Sequence, residues 1–498
     1  MVLRPGRLRR YGEITGVLAR HGFGLALWRI GAGRLVPFHR GWLGHARRPE
    51  PYSEAEHLRM AFEELGVTFI KLGQILSTRP DILPPEYIEQ LAKLRDAVPP
   101  VAAAAIVDTI ERELGASIQR LFLEFDDTPL ASASIGQVHA ARLSDGTEVV
   151  VKVQKPGVAE RVEADLAVLR QLAEAAERRS QTARRFGAVG LVDEFAWQLR
   201  AELDYVREAH NAQRFADQFR DNRMVRVPCI HERLSTGAVL TMERVRGTRI
   251  GDVEALSLQG IDRKALAERS ARIVLESVFR HGFYHADPHP GNFFVQPDGS
   301  IAVLDFGMMG HLSDETRRTM VRLLVAGLEE DTDAVVDGFA ELGVRPPPDA
   351  REGFGRDVQH MLDAYYGLEL GEVSAEHFSK DIASIARRHA LRLPSELALL
   401  LKTIAMNEGV GRELDPSFNL VTVAEPFARD AMSELHSPIA LAKRATRSAI
   451  DTAGLAVELP ERARRILRQV ERGDFEVRLR RDEIQAALDG FGAIMNRL

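Results

Sequence analysis

A single cysteine, Cys229, stands in 498 residues, so no disulfide can form within the chain. That suits a reducing compartment, and the flanking VRVPCIHERL reads as a strand with a buried structural thiol. Long apolar runs are also missing. The nearest approach to a membrane span, LALLLKTIAM, is short and carries Lys402. The arginine-rich N-terminus is broken by glycines and has no apolar stretch ending in a small-residue cleavage site, so it is not a secretion signal. No internal repeat is visible, and no low-complexity tract beyond the alanines at 102–105. Excess positive charge is absent too. A net charge of −6 argues against a nucleic-acid partner.

What is present is ordinary globular material, 45% hydrophobic and 28% charged, in a chain long enough for several domains or one two-lobed unit. Charge is unevenly spread: residues 1–50 hold ten arginines against two glutamates. There YGEITGVLARHGFGLALWRIGAGRL has the pattern of an amphipathic helix, with Leu25, Leu27 and Trp28 near one face. Such a helix suits either an anionic membrane surface or packing on its own protein.

Residues 1–115 read as a helical extension, and residues 116–246 as a small lobe containing β-rich runs and a long helical stretch from about 158 to 220. Asp145-Gly146 marks a hairpin turn in that lobe. Residues 247–435 read as a larger, mainly helical lobe, and 436–498 as a helical tail rich in arginine and glutamate. Inside the larger lobe lies HADPHPGNFFVQPDGSIAVLDFG, from His285 to Gly307. FFV and IAVLD form strands around the turn at 296–299, which brings Asn292 and Asp305 together with Asp287 on the entering loop. Oxygen ligands converging in this way suit Mg2+, and a carboxylate beside them suits a base for a hydroxyl, the layout of a phosphoryl-transfer site. The matching cation is Lys152, set among valines in EVVVKVQ, with the small-residue stretch ASASIGQVHAA upstream able to approach phosphates. The H-x3-H of His285 and His289 lies on a proline-containing loop without the spacing of a zinc site; His285 is read as a brace and His139 as packing.

These pieces resemble protein-kinase-like enzymes: Asp287-x4-Asn292 the catalytic loop, Asp305-Phe306-Gly307 the metal motif, Lys152 the strand lysine. More closely, the chain resembles the UbiB/ADCK family of atypical kinases. KLGQ (71–74), ASASIGQVH (131–139), VVVKVQKPGV (149–158), ELDYVREA (202–209), HADPHPGN (285–292) and LDFG (304–307) occur in that family's order. The resemblance implies an α+β, two-lobed kinase-like fold with ATP and Mg2+ as cofactors. It implies Asp287 and Lys152 as catalytic, and Asn292 and Asp305 as metal ligands. Around the nucleotide it implies Ser132, Ala133, Ser134, Ile135 and Gly136 of an alanine-rich loop, Lys71 and Gln74 of a signature folding over the site, and either Glu202 or Glu208 as the partner of Lys152.

Gly136 departs from the small residue many members carry there, a change read as touching nucleotide preference or loop mobility. Ala286 replaces the arginine that binds an activation-loop phosphate, and after Gly307 the chain runs almost directly into a helical pattern. A small molecule, a lipid or water therefore fits as acceptor better than a protein. The family role is support of isoprenoid-quinone biosynthesis at a membrane, through lipid precursors or the biosynthetic enzymes. Members often end in a transmembrane hairpin; this sequence stops at DGFGAIMNRL, about where one would begin, so a longer parent or peripheral attachment through the basic N-terminus is expected. The alternatives are a nucleotide-gated, chaperone-like pseudokinase and an antibiotic-kinase-type phosphotransferase, and KLGQ and the alanine-rich stretch weigh against the latter.

Overall fold

The computed structural model describes residues 5–23 and 52–435, apart from 80–81, 95–97, 330, 348–349, 366–371, 373, 390 and 392. Helix α1 (Pro5–Leu18) opens the chain, and α2 (Glu54–Leu65) begins with a capping box in which Ser53 and Glu56 bond each other's backbone N–H. Gly66 separates α2 from α3 (Val67–Ser77). Ile14 and Val17 of α1 are buried with Phe62, Phe69 and Leu91, and the Arg10 guanidinium bonds the buried Asp165, whose second oxygen also accepts from Thr68 Oγ1. The N-terminal helix thus packs on its own protein as far as it is described. It does not continue as one amphipathic rod, because Gly22 sits at φ 91°. Leu25, Leu27 and Trp28 lie outside the described residues, as does the expected tail at 436–498.

After α4 (Ala103–Leu114) comes the small lobe's sheet: β1 (Glu124–Phe125), β2 (Ala131–Ser132), β3 (Gly136–Arg142) and β4 (Glu148–Gln154), the last two joined at Gly146 as an antiparallel hairpin. The long helical stretch is divided into several helices. It contains α5 (Val158–Arg179), α6 (Ala188–Glu202) and α7 (Tyr205–Gln218), interrupted where Ser180 and Asp204 cap new N-termini and Gly187 turns left-handed. β5 (Val225–Arg226) is only a short strand, and β6 (Val239–Glu243) closes the first sheet in the order β1-β3-β4-β6.

The two-residue alternation of β4 sets the direction of its lysine. Val149, Val151 and Val153 are buried against Ile106 and Ile110 of α4, so Val150 and Lys152 face the other way, toward α7. α7 presents Tyr205, Glu208, Ala209 and Ala212 on one inward stripe.

The larger lobe carries β7 (Thr248–Arg249), α8 (Arg263–Glu276), β8 (Phe283–His285), β9 (Phe293–Val295) and β10 (Ile301–Val303). β9 and β10 pair antiparallel with Val295 opposite Ile301, the hairpin expected from the sequence. β11 (Met309–His311) returns to pair with β8, and α9 (Asp314–Leu328) starts directly after it. The apolar stretch around Lys402 becomes α10 (Ser395–Leu414), a core helix against α8. No helix among the described residues is long and apolar enough to cross a membrane.

One expectation is overturned. Cys229 is exposed. The segment after β5 pairs with β6 at the Ile230–Met242 bridge, and its alternation buries Pro228 while turning Cys229 outward.

Gly136 lies in the interior. A Cβ there would sit 2.5 Å from the Tyr205 hydroxyl and 2.7 Å from the Val153 carbonyl. Gly136→Ala should therefore cost about 1–3 kcal/mol in denaturant unfolding, while Gly237→Ala, with open space around it, should stay within about 0.5 kcal/mol. Equal stability of the two variants would show that the strand can yield at Gly136.

Candidate functional site

Lys152 reaches across the cleft side of its sheet to α7. Its Nζ lies 2.8 Å from both carboxylate oxygens of Glu208, 3.6 Å from Asp305 Oδ1 and 5.1 Å from the centre of the Tyr205 ring. Burial pulls the ammonium down, but the charges of Asp305 and Glu208 more than offset it and the group stays above its ordinary value. Burial pushes the Glu208 carboxyl up to about 7, with Lys152 opposing.

The choice left open between the two glutamates is thereby decided. Glu208 holds Lys152, and Glu202, at the end of α6, pairs instead with Lys71 at 3.0 Å. The corner between α6 and α7 is fixed by Gln154 Nε2, which donates to the carbonyls of Leu203 and Gly237. Lys71 stands on α3, close enough to Asp305 for its charge to help lower that carboxyl. Gly73 makes this position possible, because a Cβ there would press on Phe62, Leu91 and Leu94. Gln74 Nε2 bonds the Leu94 carbonyl, so it ties α3 to the turn that follows the short helix Pro85–Leu91. At the far end of the same segment, Arg79 donates to the Leu393 carbonyl of the larger lobe.

The alanine-rich loop is a tight turn between β2 and β3. Ala133 N–H bonds the Gly136 carbonyl and Ser132 Oγ bonds the Val98 carbonyl; Ser134, Ile135 and Gly136 are buried and Ala133 is exposed. Gly136 is thus a packing glycine beneath Tyr205. His139 lies buried in a relay, bonded to Gln137 and the Asp126 carbonyl and stacked on Phe125, as expected for packing.

On the larger lobe, Leu304 N–H bonds the Asn292 carbonyl, which brings Asn292 beside Asp305. Asp305 has φ 59°, the one positive φ at a non-glycine among the described residues, a conformation aspartate and asparagine tolerate best. Lys152 holds its carboxyl below the ordinary value, with Gly307 N–H adding to the effect. His285 Nδ1 accepts from Asp287 N–H, so Nε2 carries the proton and donates to the Asp305 carbonyl at 2.7 Å. It is the brace expected from the sequence. His289 accepts from Gly291 N–H and is exposed.

Asp287 is the second centre. Asn292 Nδ2 donates to its backbone carbonyl at 3.1 Å, and Lys402 Nζ lies 3.0 Å from Oδ1. Burial pushes this carboxyl up, but the Lys402 charge and hydrogen bond hold it below the ordinary value, so it is ionised at neutral pH. Lys402, Tyr205 and Asn211, whose Nδ2 bonds the Phe306 carbonyl, are site residues that the motifs alone did not single out. The one signal for Lys402 was a charge inside an apolar helix.

Among the described residues no three or more His, Cys, Asp or Glu are arranged to hold a metal by themselves. Asn292 and Asp305 are two oxygen donors. Such a pair fits Mg2+, which takes few protein ligands and completes its shell with phosphate and water. The lysines around it fit a polyanion.

The ABC1 atypical kinase-like domain matches residues 93–338, and the UbiB helical domain matches residues 358–419. A "probable protein kinase UbiB" from Aeromonas hydrophila is 35% identical over 94% of this chain and 87% of its own. An uncharacterized Synechocystis protein is 36% identical over 89% of this chain and 76% of its own. The chloroplastic "activity of bc1 complex kinase 7" protein of Arabidopsis thaliana is 36% identical over 86% of this chain, which spans only 62% of that relative. A Mycobacterium tuberculosis protein, Rv3197, solved in complex with erythromycin, is 28% identical with a TM-score of 0.51 over 75% of this chain and 95% of its own.

The glutamate assignment is directly testable. Lys152→Met and Glu208→Gln should couple by about 1–3 kcal/mol in a double-mutant unfolding cycle, and Lys152→Met with Glu202→Gln by less than about 0.5 kcal/mol. Stronger coupling to Glu202 would reverse the assignment.

Proposed function

The chain belongs to the UbiB family of ABC1 atypical kinase-like proteins, and from that premise we propose that it binds Mg-ATP and either hydrolyses it or transfers its terminal phosphoryl to a small or lipid-like acceptor. The observation that carries this reading is the meeting of Lys152, Glu208 and Asp305 at one point, with Asp287 and Asn292 on the loop that enters the β9–β10 hairpin. Lys152 would hold the nucleotide phosphates, and Asn292 and Asp305 would hold Mg2+. When bound, Mg2+ supplies charge neutralisation at the transferring phosphoryl. In the reaction the bond from the terminal phosphorus to its bridging oxygen breaks and a bond to the acceptor oxygen forms. The acceptor's proton goes to Asp287, and ADP leaves.

The segment 308–313 between Gly307 and α9 leaves little surface on which a protein substrate could dock, and α3 brings Lys71 close to Asp305. Both support a small acceptor or water. The arginine excess of residues 1–50, leaving aside Arg10, which is buried on Asp165, and the family's quinone-related role support an isoprenoid-quinone precursor or lipid at an anionic membrane surface, with quinone-biosynthesis enzymes as partners.

Asp305→Asn keeps a side chain suited to the left-handed backbone, so its effect isolates the charge. It should remove Mg2+-dependent nucleotide binding, measured by calorimetry with and without EDTA. Asp287→Asn should retain Mg-ATP binding and lose turnover by about 10²–10⁴-fold. Unchanged Mg2+-dependent binding in Asp305→Asn would refute the metal assignment. Tight binding without turnover by the wild-type chain, with or without anionic liposomes, would favour a nucleotide-gated binding module instead.

A further inference from the structure

Between Asp287 and Asn292 the catalytic loop reads Pro288-His289-Pro290-Gly291, with no lysine or arginine. Phosphoryl transfer places growing negative charge beside the base, and a cation fixed there stabilises it. Lys152 is engaged by Glu208 and Asp305, and Lys71 by Glu202. The cation at the base comes from more than a hundred positions downstream: Lys402 on α10, 3.0 Å from Asp287 Oδ1.

Its side chain is only 20% exposed, an expensive place for an ammonium that did nothing. That contact uses one of its three N–H donors, and among the described residues no other partner lies within reach. The helix beneath it is held firmly. Thr403 Oγ1 bonds the Ala286 carbonyl, Asn407 bonds Ser270 on α8, and the fully buried Glu408 accepts from Ser374, from Glu376 N–H and from Arg412. Lys402 is therefore delivered by a rigid element, one belonging to the UbiB helical domain rather than to the kinase-like domain.

We propose that Lys402 is a catalytic residue of the transfer site, its remaining N–H donors binding the terminal phosphoryl of ATP while its bond to Asp287 aims the base. This rests on the reading of the site as a nucleotide site. Lys402 takes no part in the proton transfer: the acceptor's proton goes to Asp287 and the electron pair of the broken bond leaves with ADP. Since ADP lacks the group Lys402 contacts, the lysine also gives the site its means of telling the two nucleotides apart.

The test compares the full chain with Lys402→Met and Lys402→Arg. Calorimetry with Mg2+ and either ADP or the non-hydrolysable AMP-PNP gives the affinities, and acylation of surface amines read by mass spectrometry gives the accessibility of Lys402. The wild type should bind AMP-PNP more tightly than ADP, with AMP-PNP, but not ADP, shielding Lys402 from acylation. Lys402→Met should keep ADP affinity within about 3-fold, lose the preference for AMP-PNP and lose turnover by about 100-fold or more, with Lys402→Arg restoring part of both. Unchanged preference and turnover in Lys402→Met would overturn the proposal while leaving the nucleotide reading intact. So would a loss of ADP affinity and thermal stability in step with AMP-PNP affinity in both variants, which is the pattern of mere support for the loop. Absence of any nucleotide binding by the wild type would overturn the reading and this inference together.

Discussion

The part-buried ammonium of Lys152 is the constraint around which the two lobes are arranged. A charge in that position is tolerable only with carboxylates beside it, and the fold supplies them from two directions: Glu208 from α7 and Asp305 from the far end of the β9–β10 hairpin. Each carboxylate in turn needs its own setting. Glu208 is placed by the cap at Asp204 and the corner held by Gln154; Asp305 is placed by a left-handed backbone and the His285 brace. Around this pair the outer ones fall into line, Lys71 with Glu202 on one side and Lys402 with Asp287 on the other.

The charge balance of this group links metal to nucleotide. Three lysines (71, 152, 402) face four carboxylates (202, 208, 287, 305), a formal net of −1 when Glu208, whose carboxyl burial pushes up to about 7, is counted as ionised. By itself such a site repels a polyphosphate. One divalent cation on Asn292 and Asp305 turns the net to +1, and the same lysines then become attractive. Metal and nucleotide are on this account bound as a unit, and neither has a reason to bind well alone.

Much of this was legible in the sequence because it is local. The hairpin from Phe293 to Val303, the alternation in EVVVKVQ and the Asp145-Gly146 turn are short-range patterns, and the structure carries each of them. What escaped the sequence needed distance or packing. Glu202 and Glu208 are equivalent as letters, and only the corner at Leu203 sends one to Lys71 and the other to Lys152. Lys402 reaches Asp287 across 115 positions. Gly136 looked like a loop residue, yet its neighbour is the Tyr205 hydroxyl. Cys229 was expected inside because VRVPCIHERL reads as a strand, but the strand stops at Arg226 and the segment beyond it buries Pro228 and turns Cys229 outward.

A crystal structure of the full chain with Mg2+ and AMP-PNP tests the central claim most directly. The account predicts the metal on Asn292 and Asp305, the phosphates touching Lys152, and the terminal phosphoryl within hydrogen-bond reach of Lys402. A nucleotide bound away from Lys152, or a metal held without Asp305, would contradict it.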